Sequence, residues 1–372
     1  MAKKALIIGF ICICVMFVVS GVTFLRESGV LRDRPEPQYL SDEEAELRPV
    51  YGQLTKSEKA AYEALYRGIS EMKEEIPLPR DLDGETYSKL YCLVEKQEAE
   101  LFYVNSEYYT AEIVGDAKIM YREDAKAVEE KQLELSVAVK KALNMIGGAK
   151  SETELARRIH DYIIRHCAYN IGKGMPYSST AYGCLVDGEA NCEGYAKAFN
   201  LLASRLGLRS VLVTGTTDDG ENHAWNQVNI DGQWYNVDVT WDDADVSGVV
   251  RRTYFLCDDE EFRRRHIADN ELFESFKCGD DSRDYYVSND LLADSYVKAE
   301  EIVRREMKKG GNEIQIKFAD EELFDGFGEH FIDNHRIFDI AVECGADRGG
   351  SLAVTLEENR KNLCITVFLG RG

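Results

Sequence analysis

Residues 221–243 read ENHAWNQVNIDGQWYNVDVTWDD, and all three tryptophans of the 372-residue chain, Trp225, Trp234 and Trp241, fall within them. Asp231-Gly232 sits between two alternating runs rich in β-formers, the strongest short-range signal for a hairpin. A two-residue turn pairs Ile230 with Gln233. It then sets His223 opposite Thr240 and Trp225 opposite Asp238. Side chains alternate along a strand, so His223, Trp225, Asp238 and Thr240 share one face. Ala224, Val228, Ile230, Tyr235, Val237 and Val239 share the other, which is apolar enough to be core. On the first face an imidazole and a carboxylate become diagonal cross-strand neighbours, within reach of each other. A change of one residue in the turn would part them. An imidazole held by a carboxylate through one nitrogen can act as a base through the other.

Such a base needs a nucleophile, and one lies upstream in GEANCEGYAKAFNLLASRLGL, from Gly188. Asn191 is a good N-cap. Tyr195, Phe199, Leu202 and Leu206 recur at helical spacing, and Gly207 ends the run. Cys192 therefore stands on the first turn, at the positive end of the helix dipole, where a thiolate is favoured. Glu193 beside it acts in the opposite sense. The order is a cysteine at a helix start, a histidine on one strand and an aspartate on the next. That is the pattern of a nucleophile, a base and a group orienting the base.

The rest of the chain bounds the answer. A length of 372 residues predicts two or three domains. A net charge of −22 argues against a nucleic-acid partner. Lys3 and Lys4 precede the uncharged run ALIIGFICICVMFVVSGVTFL, residues 5–25, long enough to span a bilayer. The lysines hold residues 1–4 in the cytoplasm and place the chain beyond Arg26 outside. The expectation is a single-pass anchor, or a secreted chain if Val19-Ser20-Gly21 is a signal cleavage site. The cysteines beyond residue 25 include no CxxC pair, and the acids around Asp218 and Asp242 lack calcium-loop spacing, so no metal or cofactor is expected. Cys257 and Cys278 flank a helical-looking segment and are the pair that spacing suggests for a disulfide. Cys184, eight residues before Cys192, is a second candidate, able to silence the thiol.

Residues 26–52 read as a polar linker. Residues 53–150 read as an α+β region, with helices expected over Thr55–Lys73, Tyr87–Lys96 and Asp124–Ile146 and strands between Leu101 and Tyr121. Residues 151–283 hold the chemistry, opening on a helix from a Ser151/Glu154 capping box through His166. Residues 284–372 read as a small α/β accessory domain, with helix-like 288–309, a strand at 312–318 and two further strands turning at Glu358–Lys361.

YGCLVDGEANCEGYAKAFNLL, HAWNQVNIDGQWYNVDVTWDD and RTYFLCDDEEFRR together resemble the transglutaminase-like superfamily of cysteine enzymes, whose core is related to that of papain. The likeness covers residues 151–264. It implies an α+β fold with a cysteine helix packed on an antiparallel sheet. It also implies Cys192 as nucleophile, His223 as base and Asp238 as orienter, the residues already selected by spacing. The backbone N–H of Cys192 is the expected oxyanion donor, with Tyr182 as a second candidate and Trp225 as a substrate contact. The tryptophans are expected to wall the imidazole, and the other histidines, His160, His166, His266, His330 and His335, to be structural. The expected function is a membrane-anchored enzyme acting outside the cell on amide bonds of peptides or proteins through a thioester, with hydrolysis favoured over transamidation. The alternative is a catalytically silent surface module that binds peptide or wall polymer in the same groove.

Overall fold

The computed structural model describes residues 19–21, 23–24, 36–78, 82–105, 110–111, 116–170, 172, 174–243, 249–345 and 352–371. Of the apolar run 5–25, only residues 19–21, 23 and 24 are among them. Among the described residues no helix is long and apolar enough to cross a membrane.

The chain divides into two compact units, Met1–Gln132 with Glu271–Phe273, and Leu133–Asn270 with Glu274–Gly372. The first contains helices α1 (Asp42–Glu46), α2 (Lys56–Ser70) and α3 (Gly84–Gln97) and a small sheet of β1 (Glu75–Pro77), β2 (Thr110–Ala111) and β3 (Asp116–Lys118) in the order β1-β3-β2. Part of the segment expected to be a linker is folded instead. Ser41 and Glu44 form a capping box, Leu40, Val50 and Tyr51 are buried, and Arg48 grips Glu98 through two nitrogens at 2.7 and 3.0 Å. Its polar composition hid three buried side chains. Helix α4 (Ala125–Ile146) carries the chain from the first unit into the second.

The second unit opens with α5 (Glu152–His166), capped by Ser151 as expected. A short parallel pair comes next, β4 (Ala168–Tyr169) with β5 (Glu189–Ala190), and then α6 (Cys192–Arg205). Beyond it lie β6 (Ser210–Thr217), β7 (Asn222–Ile230), β8 (Gln233–Val237), the one-turn helix α7 (Val239–Asp242), β9 (Phe255–Cys257), α8 (Asp259–Phe262) and β10 (His266–Ala268). These strands form one antiparallel sheet in the order β10-β6-β7-β8-β9.

The hairpin register is the expected one, with Ile230 opposite Gln233. Asp231 and Gly232 both have positive φ, 49° and 87°, as a type I′ turn requires. The pairing stops earlier than expected, at Asn226 and Val237. Asp238 leaves the sheet to cap α7, so neither the Trp225–Asp238 nor the His223–Thr240 pair forms. His223 instead pairs with Gly215 of β6. Both faces of β7 are covered, since every residue after Asn222 is buried. On one side α6 packs through Ala196 against Leu212 and Ala224. The buried amide of Asn226 ties α6 down by donating to Ala196 O and Asn200 Oδ1, both at 3.0 Å.

The close approach of β10 to β6 depends on Gly215. A methyl group there would run into the Ile267 carbonyl and the Trp225 ring. Gly215→Ala is expected to destabilise the protein by about 1–3 kcal/mol through overpacking, read as a lowered midpoint in urea unfolding. An unchanged midpoint would mean that β10 is free to move away.

The C-terminal part of the same unit holds α9 (Tyr285–Ser288), β11 (Leu292–Ala293), α10 (Tyr296–Lys308), β12 (Glu313–Phe318), α11 (Glu321–Asp325), α12 (Arg336–Glu343), β13 (Leu352–Asn359) and β14 (Cys364–Arg371). The helix expected over 288–309 is confined to α10, because Ser295 caps it and β11 precedes it. The sheet order is β11-β12-β14-β13, around a core that includes Ile302, Ile316, Phe327 and Ile365. This part packs on the segments that flank β9, an edge strand of the sheet that carries the site. Tyr254 donates its hydroxyl to Asn362 at 2.7 Å, Gln315 donates to Val250 O at 3.0 Å, and Lys317 meets Glu261 at 3.1 Å.

Candidate active site

Cys192 begins α6 because Asn191, in extended backbone, accepts from the Gly194 N–H at 3.1 Å. Gly194 carries no side chain where the Ser178 carbonyl and the Ala190 methyl press against the helix start. The Asn191 N–H donates to that same carbonyl at 2.9 Å. The first turn is thus clasped by the 175–180 loop. Cys192 is half-buried and packs against Ala196, Leu212 and Ala224. The unfavourable charge of Glu193 is met by Lys197 at 2.8 Å, one turn along.

His223 is buried at the start of β7, and its Nε2 lies 2.7 Å from Asp238 Oδ2. An ionised carboxylate only accepts, so this nitrogen carries the proton. Nδ1 is left with the lone pair, and the Cys192 sulfur is near enough for its charge to act on the ring. Burial opposes a charge on the ring, but the Asp238 carboxylate and the Cys192 sulfur outweigh it and push the His223 pKa up to about 10. Burial likewise opposes the Asp238 charge. His223 and His266 overcome that penalty and hold the carboxyl well below the usual carboxylate range. The arrangement favours an imidazolium oriented by a buried carboxylate, with the Cys192 sulfur beside it.

Asp238 has no exposed surface. Its Oδ1 accepts from the backbone N–H groups of Thr240 and Trp241 at 3.0 and 3.1 Å. Its Oδ2 accepts from His223 and also from His266 Nε2 at 2.9 Å. The far end of α7 is fixed as well. Asp242 meets His160 Nε2 at 3.1 Å, and the other nitrogen of His160 meets Asp161, which Arg252 holds at 2.6 and 3.1 Å.

The sequence-based site residues fall into two groups. His223 and Asp238 meet directly, with Cys192 beside the imidazole. Trp225 and Trp241 wall His223 at ring distances of 6.2 and 5.3 Å. Trp225 is only 3% exposed, so it is packing and not open surface. Trp234 stands elsewhere, stacked on Phe276 at 4.0 Å. The Tyr182 hydroxyl donates to Glu134, which commits the proton an oxyanion donor would need. Cys184 is buried beside Cys167, and Cys257 and Cys278 are separate free thiols, one donating to Thr253 O and the other beside Gln227. His266, expected to be structural, is the residue that spacing missed. It lies 28 positions from Asp238, and the order of strands in the sheet joins them.

Nε2 of His223, Nε2 of His266 and a carboxylate oxygen of Asp238 lie within 4.8 Å of one another, a set chemically able to bind zinc. The separations of 2.7 and 2.9 Å are hydrogen-bond lengths. Ligands at 2.0–2.1 Å from a tetrahedral ion would stand about 3.3 Å apart. The trio as it stands fits shared protons.

A thiol at a helix start, an imidazole and a buried carboxylate on an α+β core define a cysteine-enzyme fold. Residues 139–239 match the family model of the transglutaminase-like superfamily. It is similar to kyphoscoliosis peptidase of Mus musculus, at 29% identity over 192 residues, covering 44% of this chain and 27% of that protein. The Homo sapiens kyphoscoliosis peptidase is 27% identical over 155 residues, covering 36% of this chain and 23% of its own length. The chain thus spans about a quarter of the length of these relatives. Among solved structures, the crystal structure of a TGase aligns at 13% identity with a TM-score of 0.29, covering 45% of this chain and 52% of the other.

Proposed function

We propose that this chain cleaves or transfers amide bonds of peptides or proteins through a Cys192–His223–Asp238 triad. The observation that carries the reading is the use of His223 Nε2 by Asp238, which leaves Nδ1 to serve the thiol. The Cys192 thiolate attacks the amide carbonyl carbon, and the oxygen takes the electron pair as a tetrahedral oxyanion near the first N–H groups of α6. Collapse breaks the C–N bond. His223 gives its Nδ1 proton to the departing nitrogen, and a thioester remains. Water then attacks the thioester while His223 takes its proton, and the acid is released with the thiolate restored. A primary amine in place of water would give a new amide instead.

Hydrolysis is favoured. The two tryptophans near the imidazole are committed to packing against one another's neighbours, and water is the more abundant acceptor. Incubating the purified chain with a glutamine-containing peptide and a fluorescent primary amine tests this. Release of hydrolysed product is expected to exceed amine incorporation, and both should vanish in Cys192→Ala. Incorporation in excess would reverse the preference, and activity surviving in Cys192→Ala would refute the site.

A further inference from the structure

The orienting carboxylate carries one more partner than a triad needs. A carboxylate offers about four acceptor positions, and in Asp238 all are filled. Thr240 and Trp241 N–H occupy Oδ1, while His223 and His266 share Oδ2. We propose that His266 is a positioning residue for the thiol chemistry, holding one side of Asp238 Oδ2 so that His223 has a single seat on the other.

His266 is built to do this. It is 1% exposed. Its ring stacks on Phe262 at 3.9 Å, and Trp241, Trp225 and Tyr254 stand at 4.4, 5.2 and 5.3 Å. Its Nδ1 faces the Phe262 carbonyl at 3.3 Å, and its backbone pairs with Thr217 of β6. The box leaves the ring no alternative orientation, and Nε2 points at Asp238.

The contact acts on the base in two ways. The hydrogen bond from His266 draws part of the Oδ2 charge away from His223, so the imidazolium is a stronger acid toward a leaving amine than Asp238 alone would allow. It also prevents the His223 ring from rocking between two positions on one oxygen. The groups facing this assembly are Cys192 from α6, His223 from β7, Asp238 and Asp242 from α7, Tyr254, and Arg265, whose guanidinium lies 4.8 Å over the Trp241 ring; Tyr169 of β4 feels the charges of Cys192 and Asp238. None of the others donates to Oδ2 among the described residues.

The proposal rests on the thiol–imidazole reading, and its test separates the two. Carbamidomethylation of Cys192 by iodoacetamide, with peptide mapping across pH, reports the pair without a substrate. The parent chain should show an upper inflection as His223 loses its proton. His266→Phe keeps the stacking and loses the donor. Its inflection should rise by about one pH unit, the scale of a hydrogen bond to a charged group, and its plateau rate should fall several-fold. His266→Gln, a poorer filler that keeps an N–H, should restore most of both. His266→Leu replaces the Phe variant if near-ultraviolet circular dichroism shows that Phe does not fit. An inflection unmoved by loss of the donor, or a Gln variant worse than Phe, would make His266 packing only and overturn the proposal. A parent with no inflection at Cys192 would refute the thiol–imidazole pair itself, and the proposal with it.

Discussion

Asp238→Asn is expected to leave a folded protein whose turnover is lower by roughly three to four orders of magnitude, the scale seen when a triad carboxylate becomes an amide. The amide oxygen can still accept from Thr240 and Trp241 N–H, so α7 keeps its cap. The amide NH₂ then faces His223 Nε2. Two donors cannot share that contact, so the imidazole proton moves to Nδ1 and blocks the lone pair that should receive a proton. Stability carries a second signature. Asp238 has a depressed pKa, so its contribution is present above the unfolded carboxylate value near 4 and is lost as pH falls. His223 has a raised pKa, so its contribution is present below the unfolded value near 6.5 and fades as pH rises through about 10. The parent should be most favoured by this pair between about pH 4 and 6.5, and the variant should lose that dependence. Thermal melts across pH, read beside turnover on a peptide, check both parts. Full turnover in Asp238→Asn would show that the carboxylate does not orient the base.

Cys192 should be alkylated at neutral pH roughly tenfold or more faster than any other thiol among the described residues, because an ordinary thiol is only a few per cent ionised there. The competitors are disadvantaged for identifiable reasons. Burial raises Cys184 and Cys257 well above the usual thiol range and also raises Cys278, and it pushes Cys364 up to about 11. Cys167 is buried. Cys92 and Cys344 are the more accessible thiols, and among the described residues neither has an imidazole partner. Mapping after one-to-one labelling should find the modification on Cys192, together with loss of peptide turnover. Faster labelling of Cys92 or Cys344 would remove the case for an activated nucleophile.

What could be read from the residues was local. Asp231-Gly232 set the hairpin register through its turn chemistry, and Asn191 and Gly207 bounded the cysteine helix. Because β7 and β8 are adjacent in sequence, His223 and Asp238 could be matched by counting. The departure of Asp238 from the sheet could not be counted. Its carboxylate competes as a helix cap, a choice settled by two backbone N–H groups beyond it. His266 was invisible for another reason. It reaches Asp238 only because β10 returns beside β6, and nothing in the run of arginines before it signals that return. Contacts across residue 284 were hidden in the same way. The turn to β11 reads like the start of a separate domain, yet Asn362, Gln315 and Lys317 dock on Tyr254, Val250 and Glu261.

Asp238 serves two masters, since one carboxylate both starts α7 and seats the imidazole. Mutation in a lineage would therefore treat the three positions of the proposed triad unequally. Losing Cys192 removes a half-buried sulfur and little else. Replacing Asp238 by a side chain with no acceptor unseats a helix, two histidines and the aromatic box around them. A descendant that had abandoned chemistry would shed the sulfur first and keep the acid for its fold. When such chains are sorted into working enzymes and retired ones, a retained aspartate says only that the scaffold persists. The cysteine is the position to inspect.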